Sequence, residues 1–315
     1  MTTVGLDIGG TKTLGALVDE EGTILARARR DTPAALPEQI AVAAAEVIEE
    51  LTAHTPVEAV GVACAGFLDR ARERVLFAPN LAWRDEPLKE RLEQSCGLPV
   101  VLENDANAAA WGEFVHGAAA DVDHMVFITL GTGVGGGVVL ERRLLRGAFG
   151  IGAELGHIRV VPDGELCGCG VRGCLEAYGS GSALLRAARA VVAADGPQAA
   201  ALSARCGGDP DRLQGADVTA VALAGDPTAI ELLADVGRWI GIGAASMAAV
   251  LDPEVIVLGG GVSHAGDLVL RPAEAAFAEH LTGGESRPRA SFRLAGLLDD
   301  AGCIGAAALA REAGA

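Results

Sequence analysis

Thr3-Val4-Gly5-Leu6-Asp7-Ile8-Gly9-Gly10-Thr11-Lys12-Thr13-Leu14-Gly15-Ala16-Leu17-Val18 opens the chain. Two runs of apolar and small residues flank a Gly/Thr turn, so Thr3 to Ile8 reads as a strand, Gly9 to Lys12 as a turn and Thr13 to Val18 as the return strand. Glu20-Glu21-Gly22 then turns into a third strand around Thr23 to Ala28. The same pattern recurs later. Met125 to Leu130 reads as a strand, Gly131-Thr132-Gly133-Val134-Gly135 as a turn and Gly136 to Leu140 as a return strand. Each copy opens a series of strands followed by helices, which predicts an α/β protein of two structurally related halves. A length of 315 residues is long for one core and also points to two domains. No low-complexity linker separates them, and the junction is expected at a strand–helix step near Ala108.

Between and beyond these hairpins the periodicity is mixed. Glu38 to Leu51 has helical spacing, Val57 to Val62 reads as a buried strand, Pro87 to Ser95 as a helix and Pro99 to Leu102 as a strand. Ser182 to Ala249 is mostly helical, with a loop around Cys206 to Asp211. Its last helix starts at Asp226-Pro227, which suits an N-cap and first turn, and stops at Asp252-Pro253. Glu254 to Leu258 is a buried strand running into Gly259-Gly260-Gly261, and Gly302 to Ala313 a helix of small residues.

The glycine turns offer backbone N–H groups and a hydroxyl, as phosphate cradles do. Neither has the Gly-x4-Gly-Lys-Ser/Thr spacing of a Walker A loop. Gly131 to Gly136 fits Gly-x-Gly-x-x-Gly, but a dinucleotide fingerprint needs a helix next, and Gly136 to Leu140 reads as a strand. Asp7 sits on the strand before the first turn, where it suits either a hydrated Mg²⁺ near phosphates or a turn cap.

Glu103-Asn104-Asp105-Ala106-Asn107 lies where a strand gives way to a helix. Asp105 there is open to two roles, an N-cap or a general base at the strand ends. Asn104, with both a donor and an acceptor, suits reading of a hydroxyl.

Glu154 to Glu176 carries the densest chemistry: Glu-Leu-Gly-His-Ile-Arg-Val-Val-Pro-Asp-Gly-Glu-Leu-Cys-Gly-Cys-Gly-Val-Arg-Gly-Cys-Leu-Glu. His157, Cys167, Cys169 and Cys174 form a Cys₃His set in which one short loop can wrap a tetrahedral zinc ion, with Gly168, Gly170 and Gly173 freeing the backbone. A redox pair in a Gly-rich loop is the alternative. Four protein ligands leave no open position, so the ion is expected to be structural, while the second imidazole nitrogen remains available to another partner. Glu154 and Glu176 bracket the loop and suit recognition of a polyol, unless they are ordinary solvated acids.

Half of the residues are apolar and 21% are charged, and the net charge is −17. Such a balance argues against nucleic acid, anionic membranes and long polyanions such as polyphosphate, but not against a small phosphate ligand. No apolar run reaches spanning length, and too little chain precedes the first strand for a signal peptide. The remaining cysteines, Cys64, Cys96, Cys206 and Cys303, are expected as reduced thiols in a cytoplasmic protein.

At this point the motifs resemble a known family, the bacterial sugar kinases and sugar-responsive repressors grouped as ROK proteins. Asp7 to Lys12 is similar to the family's first phosphate motif, Thr129 to Gly135 to its second, and Val257-Leu258-Gly259-Gly260-Gly261-Val262 to its adenosine-side motif. Glu154 to His157 and Cys167 to Glu176 resemble its zinc segment. Within the group the likeness is strongest to ATP-dependent glucokinases of the actinobacterial type, and includes Leu76 to Trp83 and Val101 to Ala109.

The resemblance implies an actin-like ATPase fold, two RNase H-like domains around a central cleft. The C-terminal helix would return to the first, giving a small domain of residues 1–108 plus 300–315 and a large one of 109–299 with the zinc loop. It implies ATP, Mg²⁺ and structural Zn²⁺, with Asp7, Gly9, Gly10, Thr11, Lys12, Gly131, Thr132, Gly133, Gly259, Gly260 and Gly261 on the nucleotide. Asp105 would take the proton from the glucose 6-hydroxyl, and Asn104, Glu154, His157, Glu176 and the backbone near Gly66 would read the other hydroxyls. D-glucose and ATP are the implied partners, in a homodimer or homotetramer.

Three rivals remain. A family kinase for N-acetylmannosamine, fructose or allose has no residue here that separates it. A sugar-sensing repressor needs a helix-turn-helix ahead of the first motif, and only six residues precede Asp7. A zinc-containing NAD-dependent dehydrogenase needs the helix missing after Gly136.

Overall fold

The computed structural model describes residues 2–78 and 80–314; Pro79, inside the Leu76 to Trp83 motif, lies outside them. In chain order the elements are β1 (Thr3–Ile8), β2 (Lys12–Val18), β3 (Ile24–Asp31), α1 (Pro37–Thr52), β4 (Val60–Cys64), β5 (Phe67–Leu68), β6 (Val75–Phe77), β7 (Arg84–Glu86), α2 (Leu88–Cys96), β8 (Val100–Asn104) and α3 (Asp105–Val115). There follow β9 (Met125–Leu130), β10 (Val134–Leu140), β11 (Arg143–Leu144), α4 (Glu176–Gly179), α5 (Gly181–Ala193), α6 (Ala200–Cys206), α7 (Gly215–Leu223) and α8 (Pro227–Leu251). The chain closes with β12 (Val255–Gly259), α9 (Asp267–His280), β13 (Ser291–Leu294) and α10 (Ala301–Gly314).

The repeat expected from the two hairpins is present in the topology. One five-stranded sheet has the order β3-β2-β1-β4-β8 and the other β11-β10-β9-β12-β13. In the first, β1 pairs antiparallel with β2 and parallel with β4, which pairs parallel with β8. In the second, β12 pairs parallel with both β9 and β13. A hairpin at one edge followed by parallel strands is common to both. β10, not a helix, follows the Gly131 turn, so the dinucleotide fingerprint has no structural counterpart.

The chain divides into two compact units. The first comprises Met1–Asp123, Gly137–Ala153 and Gly296–Ala315, the second His124–Gly136 and Glu154–Ala295. The junction expected near Ala108 falls inside α3, which stays whole in the first unit. Gly137 to Ala153 belongs there too, because Gly137 packs under Ala110 and the Arg142 guanidinium lies 5.0 Å from the Phe114 ring centre.

In the first unit the core is Val4, Leu6, Ile8, Ile40, Val47, Val60, Val62, Trp83, Leu92 and Leu102, all at most 1% exposed. α10 lies against this sheet, and its small residues explain how. A Cβ on Gly5 would collide with the Cys303 carbonyl and one on Gly61 with the Ala306 carbonyl, so the helix backbone approaches the strands directly. Ala301 to Ala310 are all buried. Trp111 on α3 donates its indole N–H to Glu312 at 3.1 Å. Glu113, also on α3, is fully buried and accepts the N–H groups of Ala118, Gly296 and Leu297 at 2.7 to 2.9 Å. Three charge-assisted bonds offset the cost of burying that carboxylate.

Element limits differ from the sequence reading where pairing decides them. β4 begins at Val60, not Val57, because its parallel register with β1 runs from Val4–Val60 to Ile8–Cys64. β3 continues past Ala28 to Asp31, since Arg29, Arg30 and Asp31 pair with Leu14, Thr13 and Lys12. α8 starts as expected, with Asp226 accepting the Ala229 N–H at 2.9 Å and Pro227 in its first turn. It ends where Asp252 takes a left-handed conformation, φ 44°. Among the described residues no helix is long and apolar enough to cross a membrane.

Candidate active site and metal centre

The first unit holds Asp7, Gly9, Gly10, Thr11, Lys12, Gly66, Asn104 and Asp105. At the β8–α3 corner the two open roles of Asp105 separate. Asn104, extended at φ −63° and ψ 145°, is the N-cap, and its side-chain oxygen accepts the Asn107 N–H at 3.1 Å. Capping is therefore done by the neighbour, and Asp105 is the first residue of the helix. One of its oxygens accepts the Ala106 N–H at 2.9 Å. Burial pushes the Asp105 carboxyl up, opposed by backbone N–H bonds and the Asn104 amide.

Asn104 is also tied from its other end. Its amide donates to the Gly66 carbonyl at 3.2 Å. Gly66 has φ 124° and a Cβ there would run into the Phe77 carbonyl, so no other residue fits the turn.

Asp7 lies at the foot of the first turn, which is closed by the Gly9 N–H donating to the Lys12 carbonyl at 3.0 Å. Burial, then the Asp105 carboxylate, push the Asp7 carboxyl up to about 7, while Lys12 pulls it down. A carboxylate costly to ionise between acids is what a divalent cation relieves, so Asp7 fits a Mg²⁺-binding role through bound water. Thr11 and Lys12 are exposed.

The second unit holds Gly131, Thr132, Gly133, Glu154, His157, Glu176, Gly259, Gly260 and Gly261. The Gly131 turn is bonded to the start of α5, with the Gly181 and Ser182 N–H groups donating to the Gly131 and Thr132 carbonyls at 2.9 and 3.2 Å. A Cβ on Gly131 or Gly261 would meet no atom within 4 Å, so open space surrounds both. Gly260 differs: it has φ 80° and its Cβ would lie 2.7 Å from the Leu130 backbone, which makes glycine obligatory. Its carbonyl accepts the Ser263 hydroxyl at 2.7 Å.

The expected metal ligands come together. The donor atoms of His157, Cys167, Cys169 and Cys174 all lie within 4.8 Å of one another. Cys169 and Cys174 Sγ are 3.7 Å apart, as are Cys167 Sγ and His157 Nδ1. Thiolates at about 2.3 Å from a tetrahedral zinc ion would be about 3.8 Å apart. Burial pushes the Cys167 thiol up to about 12, and the Cys174 thiol also rises through burial. The Cys169 thiol goes the other way, lowered chiefly by a hydrogen bond from the Val171 backbone, so a cation would be needed mainly to ionise the two buried thiols, and the donor set fits zinc. Of the three loop glycines, Gly170 and Gly173 have φ near 86° and 82°, whereas Gly168 has neither a positive φ nor a close neighbour.

The acids beside the loop are placed differently from each other. His157 presents Nδ1 to the thiols, and its Nε2 lies 4.0 Å from a Glu154 carboxylate oxygen. The Glu176 carboxylate is engaged within the protein, accepting the Val134 N–H at 3.1 Å and the Cys167 thiol at 3.3 Å. Glu176 therefore ties the metal loop to the Gly131–Val134 turn, a link the sequence did not disclose. Sequence reasoning also passed over Glu103, whose carboxylate is 3% exposed and paired with Arg146 at 2.7 Å.

The ROK family model matches residues 3–313 of this chain. The chain belongs to the ROK family. This ROK protein is 47% identical over 310 residues to a glucokinase of Streptomyces coelicolor, covering 98% of each chain. It is 36% identical to an N-acetylmannosamine kinase of Citrobacter koseri, covering 99% of each. A crystal structure of a ROK family glucokinase from Streptomyces griseus in complex with glucose and AMPPNP superposes with a TM-score of 0.91 at 48% identity, covering 99% of this chain and 100% of that one. The fold is accordingly the actin-like ATPase fold of that group.

Proposed function

We propose that this ROK protein is an ATP-dependent glucokinase that phosphorylates D-glucose at its 6-hydroxyl. The similarity to the Streptomyces glucokinases, near full length on both chains, supports ATP as donor and glucose as acceptor. The observation that carries the mechanism is the division of labour at the β8–α3 corner: Asn104 caps the helix, so Asp105 is left to act on substrate. Asp105 accepts the proton of the 6-hydroxyl, that oxygen bonds to the γ-phosphorus, and the bond to the ADP oxygen breaks. A carboxylate whose affinity for protons is raised by burial is better suited to that transfer than an ordinary aspartate.

Asn104, Glu154, His157, Glu176 and the Gly66 backbone read the remaining hydroxyls. An analogue lacking one of them leaves a polar group unpaired, which discriminates strongly. Gly9, Gly10, Thr11, Lys12, Gly131, Thr132, Gly133, Gly259, Gly260 and Gly261 are the proposed nucleotide-binding residues. Asp7 holds hydrated Mg²⁺, which supplies charge neutralisation at the phosphates. Zinc held by His157, Cys167, Cys169 and Cys174 supplies a fixed charge that keeps the loop folded. The same proposal includes a cytoplasmic homodimer or homotetramer, measurable by light scattering.

The 36% identity to an N-acetylmannosamine kinase favours a second reading, a kinase of that amino sugar. ADP release measured with glucose, N-acetylmannosamine, fructose and allose separates the two. Glucose should give the highest kcat/KM, and a preference for N-acetylmannosamine would overturn the first reading.

A further inference from the structure

Glu103 is the last residue but one of β8 and immediately precedes Asn104-Asp105, yet nothing in the proposed reaction uses it. Its side chain is 3% exposed, because both faces of the strand end are covered. An ionised carboxylate in such a place needs full compensation. Oε2 accepts the Arg146 Nε–H at 2.7 Å and lies 3.5 Å from an Arg72 guanidinium nitrogen. Oε1 accepts the backbone N–H of Asn104 and the side-chain amide of Asn107, each at 3.2 Å.

The two arginines come from different loops. Arg72 sits at φ 58° in a tight turn closed by its own N–H donating to the Asp69 carbonyl, with the Asp69 carboxylate accepting from Glu73 and Arg74 at 2.8 and 3.0 Å. Arg146 follows β11, and its carbonyl accepts the Gly152 N–H at 3.0 Å. These loops abut: a Cβ on Gly150 would come 3.2 Å from the Asp69 carbonyl oxygen.

Glu103 thus gathers two loops onto the strand–helix corner. Through Oε1 it holds the Asn104 backbone and the Asn107 side chain, while Asn104 is held further by Gly66 and by the Asn107 N–H. We propose that the Glu103–Arg146 ion pair, assisted by Arg72, is a positioning device for the reaction: it touches no substrate but fixes the direction in which Asn104 and Asp105 present their side chains. The inference rests on the kinase reading above.

The test uses the full zinc-loaded chain. Arg146→Ala, Arg146→Lys, Arg72→Ala and Glu103→Gln are compared for kcat, KM for glucose and ATP, thermal midpoint and the acid limb of kcat/KM. Leu92→Ala, a core substitution on α2, reports what lost stability alone does. Misplacing a base by about 1 Å costs about 10²-fold, so Arg146→Ala should lose about that much kcat with KM for ATP changed by less than about twofold. Arg146→Lys should recover part of the loss, and Arg72→Ala, at the longer contact, should lose least. The acid limb should move up in Arg146→Ala, as the N–H groups around Asp105 lose their alignment, and stay in place in Leu92→Ala. If Arg146→Ala does not fold, Arg146→Lys and Arg72→Ala carry the same two readouts. Folded variants with wild-type kcat and acid limb, or a kcat that falls with the midpoint as in Leu92→Ala, overturn the proposal. Wild-type protein that phosphorylates no hexose overturns the kinase reading and this inference with it, and shows before any variant is made.

Discussion

At the β8–α3 corner of the first unit, Asn104 and Asp105 are held by a helix cap, a glycine carbonyl and a buried ion pair. In the second unit, His157 and Glu176 are held by a loop whose four inward donors are three thiols and an imidazole. The first corner is built on a sheet and a helix that pack with the core of the first unit. The loop has one short 3-10 turn, Leu155–His157, two isolated bridges, Arg159 with Cys174 and Leu166 with Arg172, and few buried side chains of its own. On the proposed reading a zinc ion would hold those four donors together. On the proposed roles, the difference implies that positioning of Asp105 and recognition by His157 and Glu176 can be disturbed separately, one by mutation of the fold and the other by removal of metal.

The largest expected effect is at the base. Asp105→Asn keeps size and most hydrogen bonds but cannot take the proton, so kcat should fall by about 10²–10⁴. Glucose binding, measured by calorimetry, should persist within a few-fold. Equal losses of turnover and binding would break the separation between the corners.

Stripping the metal with a chelator should act in the opposite sense. With the loop released, glucose KM should rise by about tenfold or more, the size of effect seen when the shell that orients metal-bound groups is disturbed. The thermal midpoint should fall as well, and zinc should restore both. Metal-free protein that stays equally stable and keeps its glucose KM would show that the loop needs no ion.

A smaller effect is expected at Asp7, and it sharpens the contrast by giving the first unit its own ion dependence. Its folded carboxyl titrates near 7 against an ordinary value of 3.8. The neutral form is thus favoured by folding: its contribution is full below about pH 4 and is lost as the pH rises through 7. Without Mg²⁺, Asp7→Asn should raise the thermal midpoint at pH 8 by several degrees and change it little at about pH 3.5, below the unfolded value. The same gain at both pH values would remove ionisation of Asp7 as the cause.

Much of this was legible in the sequence because local patterns were strong. The two Gly/Thr turns between apolar runs announced the paired hairpins, Asp226-Pro227 announced the start of α8, and the spacing of His157, Cys167, Cys169 and Cys174 announced that these four donors converge. The β5–β6–β7 sheet was not legible, since strands of two or three residues have no periodicity to detect. Nor was α9, which carries Pro272 inside a helix. Asn104 and Asp105 are both good capping residues, and only the extended ψ of Asn104 decides which one caps. The domain junction was misplaced near Ala108 because strand–helix steps look alike in sequence, whereas packing on α10 keeps α3 with the first sheet. Glu103 gave no signal: a glutamate is ordinarily solvated, and the arginines that bury it lie far along the chain. Glu176 was recognised as an acid beside the zinc loop, but its bond to Val134 joins residues 42 positions apart.

The central claim, that Asp105 sets turnover while the metal loop sets sugar binding, is tested most directly by one paired experiment. Steady-state kcat and glucose KM are measured side by side for Asp105→Asn and for zinc-stripped wild-type protein. The account predicts a collapse of kcat with nearly unchanged KM in the first, and a raised KM with a smaller loss of kcat in the second. Near-normal turnover of Asp105→Asn, with the hexose still phosphorylated at wild-type rate, would contradict it.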